Sequence, residues 1–96
     1  MASGWGDLTS SVAHAIDAFV GAAYPLAAVR RVAARSRGPH VDFLVTVDGP
    51  WHEAIADLEP RLRQLRIEGT TSFDYTVVPA EWGEPDPPGY VAVFAR

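Results

Sequence analysis

The sequence predicts an α/β (α+β) protein, a small two-layer sandwich of order α-β-α-β-β, with a three-stranded mixed sheet and helices on one face. Three observations predict it. His40–Leu65 passes from period-two alternation to helical spacing across an Asp-Gly-Pro turn. Thr71–Val78 and Tyr90–Ala95 are short runs rich in β-branched and aromatic residues. Before all of these, Val12–Ser36 is rich in alanine with apolar residues at helical intervals.

Taken in order, residues 1–8 are small and glycine-rich and are expected to be a flexible N-terminus, with residues 9–96 forming a single domain. Thr9 or Ser10 can cap a helix by accepting a bond from a free backbone N–H. Val12, Ile16, Phe19, Val20 and Ala23 then share one helical face, while His14 and Asp17 lie off it. Tyr24-Pro25 kinks or splits this region, because the residue before a proline is pushed out of helical geometry. The following run, Leu26–Ser36, reads as a second helical segment burying Leu26, Val29, Val32 and Ala33. Arg35, Arg37, Gly38 and Pro39 close it as basic residues, a turn and a stop.

In Val41–Val47, Val41, Phe43, Val45 and Val47 fall on one side of a strand. Asp42, Leu44 and Thr46 make the other side mixed rather than fully wet. Proline lacks the N–H a strand ladder needs but suits the first turn of a helix, so a helix is predicted from Pro50 to about Arg66. Its stripe is Trp51, Ile55, Leu58, Leu62 and Leu65, with acids early and arginines late, as the helix dipole favours. Pro60 is expected to kink or break it after Leu58. In Thr71–Val78, Phe73, Tyr75 and Val77 alternate against Asp74, Thr76 and Val78. Pro79–Gly89 holds four prolines and three acids and is irregular. Tyr90–Ala95, apolar on both sides, is expected either to be central in the sheet or to lie covered, and to form a long-looped hairpin with the preceding strand.

Function is less legible. The 48% hydrophobic and 21% charged content is that of a folded chain rather than a disordered one. A net charge of −4 gives no general attraction to nucleic acid or anionic lipid. Without cysteine there is no disulfide, thiolate chemistry or cysteine metal site. All eight basic residues are arginine, a bias of GC-rich bacterial coding. The start has no basic signal region, and the Val12–Val29 run carries Asp17, a costly charge in lipid; a cytoplasmic protein without a membrane span is expected.

No catalytic, cofactor or metal motif is present, and no cofactor is expected. His40 and Asp42 share a strand face, and His52 and Glu53 open the next helix, but a strand rise of ~3.3 Å per residue keeps the two pairs apart. The candidate partner-binding residues are Trp82, Tyr90, Arg30, Arg31, Arg35 and Arg37. Trp82 stands in the Pro/Gly/acid loop, either packed down as an anchor or facing a partner as a hot spot. The residues fit best a non-enzymatic protein-interaction or assembly module of a bacterial cytoplasmic complex. Its partner is another protein, or itself as a homodimer joined through Val41–Val47 or the C-terminal strand. The alternative is an RNA- or DNA-binding domain using Arg30–Arg37 as a basic helix end; a small enzyme or ligand-binding protein is third.

Overall fold

A computed structural model of the chain describes residues 3–68, 72–83 and 85–96. The order is α1 (Ser3–Ala23), β1 (Val29–Arg37), β2 (His40–Val47), α2 (Trp51–Glu68), β3 (Phe73–Pro79), a single 3-10 turn (Ala80–Trp82) and β4 (Val91–Ala95). The four strands form one mixed sheet in the order β3-β2-β1-β4, with β2 and β3 parallel and the other neighbours antiparallel. The α+β class and the helices on one face match the sequence reading. The three-stranded sheet and the α-β-α-β-β order do not.

The difference lies in Leu26–Ser36. This stretch is a strand, not a helix, and Arg30–Arg37 is therefore not a basic helix end. The strand pattern is present in the sequence: Arg31, Ala33, Arg35 and Arg37 alternate with Val32, Ala34 and Ser36, and this alternation sets their pairing across to β2. Alanine and arginine are strong helix formers, and that propensity masks the period of two. Tertiary pairing on both sides of β1 overrides it. The Gly38-Pro39 pair turns a hairpin between Arg37 and His40 instead of stopping a helix. Gly38 has φ of 60°, which a two-residue hairpin turn with glycine at its first central position requires.

The helices keep their predicted faces and lose some of their predicted ends. α1 begins at Ser3, ahead of the Thr9 or Ser10 cap, and stops at Ala23, before Tyr24-Pro25. α2 runs unbroken through Pro60. The carbonyl freed by that proline belongs to Ala56, an exposed residue, so it is open to solvent. The buried line of α2 is Ala54, Leu58 and Leu62, while Trp51 lies outside it at 42% exposure.

The core is one cluster between the helices and one face of the sheet. Phe19 of α1 stacks on Phe43 of β2 with ring centroids 3.8 Å apart, and Phe73 of β3 meets both edge-on at 5.8 and 6.0 Å. Val32, Val41, Val45, Val47, Leu58 and Leu62 complete it. Polar links close its rim. Arg66 of α2 lies over the Phe73 ring, and the Tyr75 hydroxyl donates to Glu59; burial first, and that bond second, push the phenol up to about 12.

β4 is not the hairpin partner of β3. The two strands are the opposite edges of the sheet, and β2, expected as a joining edge, is paired on both sides. β4 is also an edge rather than a central strand, and it is only partly covered: Val93 and Phe94 pack against the core while Val91 is 66% exposed. The chain therefore has to pass two strands, roughly 14 Å at ~4.8 Å per strand spacing, between β3 and β4. Residues 80–83 and 85–90 lie over the face that the helices leave open. Arg96 pins the far end of β4, its N–H bonding the Arg30 carbonyl and its guanidinium the carbonyls of Tyr24, Val29 and Leu26. Among the described residues no helix is long and apolar enough to cross a membrane.

Candidate functional site

The outer face of the sheet collects the residues that alternate with the core. In register these are Arg35 and Asp74 flanking Asp42, Ala33 and Thr76 flanking Leu44, and Arg31 and Val78 flanking Thr46. One end of this face is charged and the other forms a cleft.

The charged end is built around Asp42, which is almost wholly buried. Arg37 donates to it through Nε at 2.8 Å and a terminal nitrogen at 3.2 Å, and Arg35 donates at 3.1 Å. His40 Nε2 is 3.0 Å from Asp42 and 3.3 Å from Asp74, and its Nδ1 is 2.8 Å from the Ser72 hydroxyl. These donors, Arg37 foremost, overcome burial and hold the Asp42 carboxyl at about 2, below its usual value of 3.8. His40, Asp42 and Asp74 place a nitrogen and two carboxylate oxygens within 4.8 Å of one another, a spacing that suits a metal ion. The same atoms also form a hydrogen-bonded cluster, in which Nε2, in the tautomer that carries its proton there, can donate to the carboxylates. Both guanidiniums bond Asp42, and the cluster links β1, β2 and β3. His52 and Glu53 are exposed at the start of α2, one strand length from His40, as the spacing predicted.

The cleft, about 660 Å³, lies between the other end of the outer face and residues 80–90. Leu44 and Val78 give it an aliphatic floor, and Thr46 and Thr76 add hydroxyls. Pro79 starts the 3-10 turn, and Gly83, at φ 62°, ends it by donating its N–H to the Ala80 carbonyl at 3.2 Å. This short turn holds Trp82 at the cleft with 58% of its surface exposed. Tyr90 also lines the cleft, its ring 4.8 Å from the Arg35 guanidinium.

Two ties fasten the loop to the sheet. Asp86 takes both terminal nitrogens of Arg31 at 2.6 Å, which raises the arginine and lowers the aspartate from their ordinary values. Gly89, at φ 91°, lies so close to Arg35 that a Cβ there would stand 2.9 Å from its Cδ.

The structure thus brings Trp82, Tyr90 and Arg31 to one cleft, leaves Arg35 and Arg37 beside it on Asp42, and sends Arg30 to the end of the sheet, where it meets Asp48 at 2.9 Å. Sequence reasoning missed Asp86 and Gly89. Their signals were a lone acid between two prolines, opposite an excess of arginine, and a glycine just before a strand. Comparison of the chain with protein-family models, with curated proteins and with solved structures finds no match to any of them.

Proposed function

We propose that the chain is a non-enzymatic interaction module of a bacterial cytoplasmic assembly, with the cleft on the outer face as its working surface and another protein as its partner. The observation that carries this reading is Trp82, a large side chain held by a defined turn beside a cleft yet left more than half exposed. An aromatic anchor of this kind gains most by entering a partner's surface, since burying an indole removes a large area from water.

Charge supports a protein partner over nucleic acid. Arg30, Arg31, Arg35 and Arg37 each pair with a carboxylate of this chain, so phosphate would have to displace those acids one by one. Chemistry supports binding over catalysis. Asp42 of the His40 cluster is engaged by two arginines of this chain, and the cluster lies outside the cleft lining.

A photo-crosslinking amino acid at position 82, compared with one at the exposed Asp57 on α2, tests the reading in cells of the source organism. One defined protein adduct from position 82 alone, insensitive to nuclease, supports it. A nucleic-acid adduct, or the same pattern from both positions, overturns it.

A second reading, self-association, is favoured by β4. This edge holds Val91–Ala95 with neither charge nor proline, whereas β3 at the other edge carries Asp74 and Pro79. Antiparallel pairing of two β4 edges closes on itself and stops at two copies. Sedimentation at micromolar concentration is expected to give twice the 10.4 kDa chain mass; a clean monomer ends the idea.

A further inference from the structure

We infer that the cleft takes a proline-rich segment in the polyproline II conformation, an inference that rests on the interaction-module reading and names the chemistry of its ligand.

Among the described residues that line the cleft there is one cation and one acid. Its cation and its acid, Arg31 and Asp86, face each other with both guanidinium nitrogens engaged, so a charged ligand would first have to break a two-point ion pair. Its spare polar groups are of another kind. The Trp82 indole N–H and the hydroxyls of Tyr90, Thr46 and Thr76 have no partner among the described residues. All four can donate, and the indole can do nothing else. The ligand they suit offers bare acceptors and brings few donors of its own. Proline-rich chain meets both conditions: each proline removes a backbone N–H, and the polyproline II helix has no internal hydrogen bonds, so its carbonyls stay free. An ordinary extended peptide carries an N–H at nearly every residue and finds a better seat along a strand edge.

Shape and packing agree. Two aromatic side chains, Trp82 and Tyr90, line the cleft together with the aliphatic Leu44 and Val78, and aromatic-lined grooves are what polyproline II segments occupy. Pro85 and Pro87 add further apolar wall to the cleft. A volume near 660 Å³ is in the range of sites that hold a small ligand, enough for a short run of residues. The ligand is also stiff before it binds, so little ordering entropy opposes a shallow site.

The test is titration of the full chain with a blocked decaproline peptide, followed by amide chemical shifts and tryptophan fluorescence. Glycine–serine and poly-glutamate peptides of equal length and a single-stranded oligonucleotide are the comparisons. Saturable binding of decaproline is expected, at least tenfold tighter than any of the three, with shifts centred on Leu44, Thr46, Thr76 and Val78. Trp82→Ala and Tyr90→Ala are expected to weaken it by roughly thirtyfold or more, the range of a hot-spot residue. Trp51→Ala, away from the cleft, leaves it unchanged. Equal binding of glycine–serine, binding that survives Trp82→Ala, or shifts away from the cleft overturns the inference. The wild-type shifts decide the matter even if a variant misfolds. If decaproline fails while position 82 still crosslinks one protein, the ligand class falls and the module stands; if both fail, both fall.

Discussion

The two faces of the sheet are made by the same strands and are held in different ways. On the helix face, Val41, Phe43, Val45 and Val47 are all buried in one apolar cluster with residues of α1, β1, α2 and β3. On the outer face, one residue over, Asp42, Leu44 and Thr46 meet arginines, a histidine and an irregular loop. Burial of apolar area is non-directional and large in sum, so the helix face fixes the fold. The outer face depends on directed contacts that are individually modest and can be exchanged for a ligand's. The comparison teaches that strength and accessibility are separated here by one residue of register.

Substitutions break that comparison in order of size. Phe43→Ala is expected to cost most, about 3–5 kcal/mol, because it removes the ring stacked on Phe19 at 3.8 Å and the closely packed walls cannot refill the space. Domains of this kind have only about 5–15 kcal/mol in all. Urea unfolding measures it, and a loss under about 1 kcal/mol would mean that the aromatic stack is not what anchors α1.

The helix face was also the legible one. Apolar side chains at intervals of two in Val41–Val47 and Phe73–Val77, and at four in Leu58 and Leu62, announce burial whatever else surrounds them. The outer face was legible only where its residues contradicted simple exposure, as Leu44 does between Asp42 and Thr46. β1 was misread because both of its faces are compromised: Ala33 and Ala34 are too small to mark a side, and its arginines are equally at home on a helix. That error hid the fourth strand and, with it, the crossing of residues 80–90 that makes the cleft. Pairings such as Arg31 with Asp86, 55 positions apart, leave no local pattern to read.

Asp42→Ala comes next, at about 1–3 kcal/mol near neutral pH, since it strands two guanidiniums and an imidazole without their shared acceptor. It also carries a pH signature. The folded carboxyl titrates at about 2 rather than 3.8, so its contribution is fully present above roughly pH 4–5 and is lost as pH falls through the folded value. Asp86, lowered by Arg31, acts in the same direction. Wild-type stability should therefore fall steeply between about pH 4 and pH 2, and the Asp42→Ala protein should start lower and fall less. Parallel curves for the two proteins would show that the acid sensitivity has another source.

Gly89→Ala is expected to have the smallest effect on global stability and the most local one. The substitution is strained twice, by φ of 91° and by the 2.9 Å approach of the new methyl to Arg35 Cδ. The backbone cost is on the order of 1 kcal/mol, and the loop can relieve both strains by lifting from the sheet. Lifting draws Asp86 away from Arg31 and Tyr90 from beneath Arg35, and it leaves the helix face untouched. Hydrogen exchange is then expected to quicken across residues 80–90 and along the outer rim of β4, while Phe43, Val45 and their β1 partners keep their protection. The distinction is sharp because β2 hydrogen-bonds on both sides and opens only with the whole sheet. Faster exchange throughout β2, in step with the loop, would show that the outer face is part of the cooperative core and that the two faces are not separable.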